Sequence, residues 1–236
     1  MQPTLVSSGE GHEHFILSLA YSSDSCTIAS GGADDIIRLW DAKNGLCLDE
    51  LRGHTDYVQA VAFSPVDRDL LVSSGRDGKI LLWSLSDRKL KNVVIKGHDA
   101  AVRSFSFNSD GQFLASCSGA QNSSEKQDNT VRVWNISSGM QILLLRFHTA
   151  TIHSVTWHPE TQVLATASRD RIVGVHTLGR ELITSSKSLR GHTDYVNAVA
   201  WSPCGTALAS ASSDRSVRIW HSSSGEILQV QALCSF

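Results

Sequence analysis

The sequence has little that would mark a nucleic-acid binder, a membrane protein or a disulfide scaffold. Its 236 residues hold 21 Lys and Arg against 23 Asp and Glu, a net charge of −2. That balance leaves no electrostatic footprint for nucleic acid or an anionic membrane surface, and neither partner is expected. The longest purely aliphatic run, Ile142 to Leu145, is far too short to cross a bilayer. The opening MQPTLVSSGE has no basic stretch followed by an apolar one, so no secretory signal is expected. Five cysteines (Cys26, Cys47, Cys117, Cys204, Cys234) are odd in number and scattered, with no CxxC pair. They read as buried, reduced thiols, which suits cytoplasm or nucleus and argues against a disulfide framework or zinc site. No segment sustains a helical periodicity.

What the chain does have is repetition. Histidines at His12, His54, His98, His148 and His192 each open a similar segment, at steps of 42 to 50 residues. A period of this length points to a radial or stacked array, read here as one domain with repeats over about 11–52, 53–96, 97–146, 147–190 and 191–236. The hydrophobic fraction of 41% is that of an ordinary soluble protein.

The second repeat shows the unit most cleanly. Gly53-His54 precedes a β-prone stretch, Val58–Phe63, which Ser64-Pro65-Val66-Asp67 breaks before a second strand at Leu70–Ser74. Asp77-Gly78 is a hairpin signal, both residues being tolerant of positive φ. Lys79–Trp83 and Asn92–Ile95 complete four strands. Four short antiparallel strands per period make a propeller blade. GHTDYVQAVAFSP, LVSSGRDGKILLW and SGGADDIIRLWD resemble the WD-repeat family of β-propellers, and the resemblance spans essentially the whole chain. The implied fold is all-β: five four-stranded antiparallel blades.

Each copy also carries a polar set. It runs His12, Ser30, Asp34, Trp40; then His54, Ser73, Asp77, Trp83; then His98, Ser116, Asp128, Trp134. The fourth is His148, Thr166, Asp170, His176 and the fifth His192, Ser210, Asp214, Trp220. Ser, His and Asp together can activate a nucleophile. Here the trio recurs in every repeat, one copy has Thr, and no G-x-S-x-G elbow surrounds any of them. In the family resembled, such a set is a buried hydrogen-bond chain, so the expectation is bracing rather than catalysis. No catalytic residue, cofactor or small-molecule substrate is expected.

The fourth repeat departs from the pattern, with Phe147 in place of Gly, His176 in place of Trp, and Gly174 within its third strand. It is expected to be the least stable blade. In the third, GAQNSSEKQ lengthens the His-to-Asp interval to 30 residues against 22 or 23 elsewhere. The stretch reads as a solvated loop, with a recognition finger on the top face as the alternative.

The family resemblance places interaction residues on the top face, beside the first β-branched residue of each blade and just before each Asp. Carried over, these are Phe15, Leu17 and Ala33; Tyr57, Gln59 and Arg76; Ala101, Arg103 and Gln127; Thr151, His153 and Arg169; Tyr195, Asn197 and Ser213. The set holds three arginines and two tyrosines and no acid, which suits an acidic or phosphorylated peptide segment. IIRLWDAK, ending at Lys43, resembles the element by which some family members dock on cullin-type ubiquitin ligases, with Lys where Arg is preferred. His12-x-His14 has chelating spacing, but His12 is already committed to its blade, and no metal is expected.

The ring count stays open. Thr4–Ser7 and Ile227–Leu233 both read as fourth strands, one more than five blades need, and the chain stops where a next blade would begin. An incomplete part of a seven-bladed ring, and so a truncated isoform with impaired assembly, stands beside a closed five-bladed one. The function expected is a non-enzymatic scaffold that binds other proteins, with a ubiquitin-ligase substrate receptor as the alternative.

Overall fold

The computed structural model describes residues 11–120, 127–179 and 182–232. The expected strand at Thr4–Ser7 and most of the third repeat's insertion lie outside them. Two compact units divide the chain, Met1–Gly97 and His98–Phe236. No helix occurs among the described residues.

The first unit holds two blades. One is β1 (Ile16–Tyr21), β2 (Thr27–Gly32), β3 (Ile36–Asp41) and β4 (Cys47–Arg52). The other is β5 (Val58–Phe63), β6 (Leu70–Gly75), β7 (Lys79–Ser84) and β8 (Lys89–Lys96). The second unit holds three. These are β9 (Val102–Phe107), β10 (Phe113–Ser118), β11 (Val131–Asn135) and β12 (Gln141–Leu145); β13 (Ile152–Trp157), β14 (Val163–Ser168), β15 (Val173–Leu178) and β16 (Ile183–Leu189); and β17 (Val196–Trp201), β18 (Ala207–Ser212), β19 (Ser216–His221) and β20 (Ile227–Ala232). Every sheet is a four-stranded antiparallel meander in chain order. The second repeat's expected strands agree with β5 to β8, β8 starting three residues earlier than read.

Local chemistry ends each strand where the pattern placed a turn. The Ser64 hydroxyl accepts from the Asp67 amide at 3.1 Å, closing the chain back after β5. In the β6–β7 turn the Gly78 amide donates to Gly75 O, and Gly78 alone takes positive φ, at 76°. The expectation that Asp77 shares that conformation is corrected: the turn needs one left-handed residue. Asp35, Arg171 and Arg215 hold the same position in other blades at φ 65°, 71° and 65° without glycine.

Faces packed between neighbouring blades form the core. In the first unit Ala29, Ile37, Leu39 and Leu51 meet Val58, Val61, Leu71 and Trp83. In the second, Val131, Val133 and Leu145 meet Ile152, Val155 and Trp157, while Ala165, Val173 and Leu189 meet Val196, Val199 and Trp220. Each buried Val or Leu contributes about 1.5–3 kcal/mol. A hydrogen bond runs across two of these seams, from the Val61 amide to Ser18 Oγ at 3.1 Å and from the Trp157 amide to Ser106 Oγ at 3.3 Å. The cysteine reading is corrected. Of those described only Cys117 is buried, while Cys26, Cys47 and Cys204 are exposed, in turns or on an outer strand.

The fourth blade's departures compensate one another. A Cβ on Gly53 would come within 2.9 Å of the Trp83 ring, so the second blade has no room for a side chain before its histidine. With His176 for Trp, the space is filled by Phe147, whose ring meets His176 edge-on at 4.7 Å and His148 at 5.0 Å. Gly174 has its own reason, since a Cβ there would lie 2.5 Å from His176 Nε2 and Thr166 Oγ1. Phe147→Gly and His176→Trp are each expected to destabilise the protein by about 1–3 kcal/mol, one by a cavity and the other by overpacking. The double variant restores the ordinary pair and recovers most of that loss in urea denaturation; additive losses would show that the two positions are independent.

Candidate functional site

The five polar sets close as continuous chains of donors. The indoles of Trp40, Trp83, Trp134 and Trp220 donate to Ser30, Ser73, Ser116 and Ser210 Oγ at 2.7, 2.8, 2.8 and 2.8 Å. Each hydroxyl donates in turn to Nε2 of His12, His54, His98 or His192 at 2.7–2.8 Å. Nδ1–H then donates to Asp34, Asp77, Asp128 or Asp214 at 2.8–3.1 Å. The direction of the chain assigns the histidines as neutral, with the proton on Nδ1. Ser116, offset in sequence by the insertion, is the third blade's hydroxyl as expected. In the fourth blade His176 Nε2 donates to Thr166 Oγ1 at 3.1 Å in place of an indole, and the Ser186 hydroxyl donates to His176 Nδ1 at 2.9 Å. Burial pushes His176 down to about 3, so it holds that neutral role.

These groups have no route to a substrate. All five hydroxyls are buried, and His12, with its ring nitrogens bonded to Asp34 and Ser30, has none left for a metal. Each carboxylate also accepts the amide following its histidine, as from Thr55 to Asp77 at 3.0 Å. Burial alone would raise these carboxyl pKa values, but the bonds from histidine and backbone outweigh it, holding Asp34 and Asp77 at about 2. Asp128, Asp170 and Asp214 are lowered in the same sense.

The rim residues taken from the sequence converge on one repeated device. In every blade the first strand has a bulge against the second, and the unpaired residue is Leu17, Gln59, Arg103, His153 or Asn197. A bulge re-aims the side chain it frees from the ladder. Beside it, the amides of Ala33, Arg76, Arg169 and Ser213 donate to the carbonyls of Phe15, Tyr57, Thr151 and Tyr195 at 2.8–2.9 Å. The sequence-derived residues are thus joined in pairs around each bulge. In the third blade Gly119 makes this bond to Ala101 O at 3.3 Å. Ala33 and Ala101 are buried, so as surface contacts they are corrected to supports beneath the rim, and Thr151, also buried, keeps only an edge on the concavity of the second unit.

In the first unit Arg76 lies 5.5 Å from the Tyr57 ring centre, with Asp56 at 3.8 Å, an acid the sequence reading left out of this group. In the second unit Arg103, Ala120, Thr151, His153, Arg169, Tyr195 and Asn197 line a concavity of about 380 Å³. Arg169 stacks 4.6 Å over the Tyr195 ring and donates to its hydroxyl at 3.2 Å. Arg103 Nε donates to Gly119 O at 3.3 Å. Burial, then the charges of Arg103 and Arg169, press His153 down to about 4, leaving it neutral between two cations. Among the described residues no carboxylate lines the cavity. Ala120 was missed because it follows from the insertion's path rather than from repeat spacing; its carbonyl accepts from the Thr151 hydroxyl at 2.7 Å.

Comparison with known proteins gives a match to the WD domain, G-beta repeat model (WD40) over residues 3–41, 45–84, 89–135, 139–176 and 183–221. Among curated relatives, a subunit of chromatin assembly factor 1 from Mus musculus is 28% identical over 183 residues, covering 66% of this chain and 30% of its own length. The transcriptional corepressor LEUNIG_HOMOLOG of Arabidopsis thaliana is 29% identical over 168 residues, covering 70% of the chain and 20% of the relative. The U3 small nucleolar RNA-associated protein 15 homolog of Xenopus tropicalis is 31% identical over 168 residues, covering 71% and 30%. The chain thus spans less than a third of the length of these relatives.

A carboxyl whose folded pKa lies below its unfolded value stabilises the fold fully above the unfolded value and loses that contribution as pH falls through the folded one. For Asp34 and Asp77 that window runs from 3.8 down to about 2. The contribution of these carboxylates is therefore expected to hold to about pH 4 and to be lost below it. An earlier loss of stability begins near pH 6.5, because His153 and His176 are held down at about 4 and about 3 in the fold. Urea denaturation across the range reads this out, with Asp77→Asn flattening part of the slope. A stability unchanged down to pH 2 would contradict the carboxylate assignment.

Proposed function

The chain belongs to the WD40 family, and on that premise we propose that it is a non-catalytic platform whose blade rims bind segments of other proteins. The observation that carries the reading is the concavity in the second unit. Two arginines, one tyrosine and an asparagine face it, its histidine is neutral, and among the described residues no acid lines it. Such a surface suits an acidic or phosphorylated segment, which Arg103 and Arg169 would take by charge-assisted hydrogen bonds. Tyr195 supplies a rigid aromatic anchor already ordered by its arginine. The buried quartets support the non-catalytic half of the proposal, since an acyl-transfer nucleophile must be reached by substrate.

We place the protein in the nucleus. By their names one relative belongs to a chromatin assembly factor, another is a transcriptional corepressor and a third is associated with a small nucleolar RNA. The last name leaves the charge-based exclusion of nucleic acid without support, and it is not carried forward.

Charge reversal tests the binding site. Arg103→Glu with Arg169→Glu is expected to weaken capture of acidic or phosphorylated peptides by roughly tenfold or more, at unchanged thermal stability. Arg76→Glu, beside Asp56, is expected to matter less. Retention of every peptide by the variant with all three changes would remove the proposal.

A further inference from the structure

Within the second unit, two seams built on the same plan end differently. Between the third and fourth blades, Phe113, Val133, Leu143, Trp157, Leu178 and Gly179 surround a space of only about 40 Å³. Between the fourth and fifth, the same places hold Val163, Val175, Lys187, Trp201, Ser222 and Ser223, and the space is about 320 Å³. Backbone bonds fix the equivalence. Leu143 pairs with Val133 as Lys187 pairs with Val175, and the Leu178 amide donates to Gln162 O as the Ser222 amide donates to Thr206 O. Valine and tryptophan stand in both seams, so the cleft comes from Lys187 and Ser222 in the places of two leucines and Val163 in that of Phe113. Leu143 and Leu178 are each 9% exposed and close their seam; the fold therefore does not require an opening here.

The opened seam is lined by donors. Thr161, Thr177 and Ser185 join Ser222 and Ser223 around it. The Ser223 hydroxyl meets His221 Nδ1 at 3.1 Å, and the other four hydroxyls make no hydrogen bond among the described residues. Lys187 brings the charge. Its stem crosses the β19–β20 turn, where a Cβ on Gly225 would come within 2.8 Å of Nζ, and its ammonium donates to Ser224 O. Among the described residues no carboxylate pairs with it or lines the cleft. Both ring nitrogens of His158 are occupied, Nδ1 by the amides of Glu160 and Thr161 and Nε2 by Gly205 O, all at 3.1 Å, so that ring shapes the edge. We propose that this cleft is an anion site for a phosphate monoester. Lys187 meets the charge, the hydroxyls donate to the phosphate oxygens, and Trp201 and Val175 wall the group that carries the phosphate. A cation would face an unopposed lysine, and an apolar ligand would leave the hydroxyls unpaired. A phosphate monoester offers three strong acceptor oxygens, which suits several hydroxyls better than a carboxylate does. At about 30 Å³ per water the cleft holds roughly ten water volumes, room for an ester rather than the bare ion. It is separate from the rim concavity, since Asn197 stands near the start of β17 and Trp201 at its end.

Amide and indole NMR shifts of the full chain test this, with inorganic phosphate and O-phosphoserine as probes and sodium chloride at matched ionic strength as the reference. Phosphoserine is expected to move the Ser222, Ser223 and Trp201 signals. Lys187→Gln weakens its binding by roughly tenfold or more at unchanged thermal stability, the side chain being exposed. Ser222→Leu keeps the lysine but restores the closing side chain; it is expected to abolish binding and to raise the urea midpoint. Arg103→Glu with Arg169→Glu leaves these shifts in place, so failure of the rim proposal is distinguishable from failure of this one. A phosphoserine peptide that binds tighter than the free amino acid identifies a protein-borne phosphate, and equal affinity identifies a small free ester; either supports the site. Shifts no larger than sodium chloride produces would overturn the proposal and leave the cleft a water-filled gap. So would undiminished phosphoserine binding by Lys187→Gln.

Discussion

One hydrogen-bond relay holds each blade in register: aromatic donor to hydroxyl, hydroxyl to imidazole, imidazole to carboxylate. Its members come from four places, namely the segment entering the first strand, the second strand, the turn after it and the third strand. A relay that joins four segments cannot survive a slip of one residue, since a slip turns each side chain to the opposite face. Leaving one buried partner unpaired costs about 1–3 kcal/mol, which makes the correct register the only cheap one. Apolar packing then stacks the braced sheets, and its non-directional attraction never has to choose the register itself.

The relay also fixes where the rim lies. The carboxylate at its end accepts the amide next to its histidine, so the loop entering a blade is tied to the turn between the second and third strands. The bulge sits just past that tie. It frees one residue of the first strand while its neighbours stay bonded, so the freed residue projects from a rigid frame. In the second unit these freed residues are Arg103, His153 and Asn197, and all three line one concavity. Relay residues hold the frame and rim residues vary on it, which is how one blade plan can carry unlike surfaces.

Much of this was legible in the sequence because the relay has a spacing signature. The interval from His54 to Asp77 and that from Ser73 to Trp83 recur within a residue in every copy but the third, where the insertion stretches them to 30 and 18 residues, and even there the displaced Ser116 was recoverable. The bulge was not legible, for a register skip leaves no compositional mark on Gln59 or Asn197. Nor was the burial of Ala33, Ala101 and Thr151, which depends on how the entering loop folds over them. Cysteine burial failed for a related reason: Cys26 and Cys204 fall in turns, where a preference averaged over many proteins loses to local position. The fourth blade misled most. Three departures read singly each looked like damage, yet the ring of Phe147 occupies what the small imidazole vacates, and Gly174 admits that imidazole.

That blade shows what the relay requires. Its third-strand member must supply one N–H to a hydroxyl and fill the volume beneath the entering loop. An indole does both at once. The fourth blade divides the tasks between two residues: His176 donates, and Phe147 fills from the other side. An imidazole brings a second nitrogen that the indole lacks, and a buried acceptor without a donor would cancel the gain. Ser186 on the outer strand answers that need. The relay therefore reaches the outer strand from its imidazole end in this blade, whereas in the first blade it does so from the carboxylate end, through Arg38 between Asp34 and Glu50.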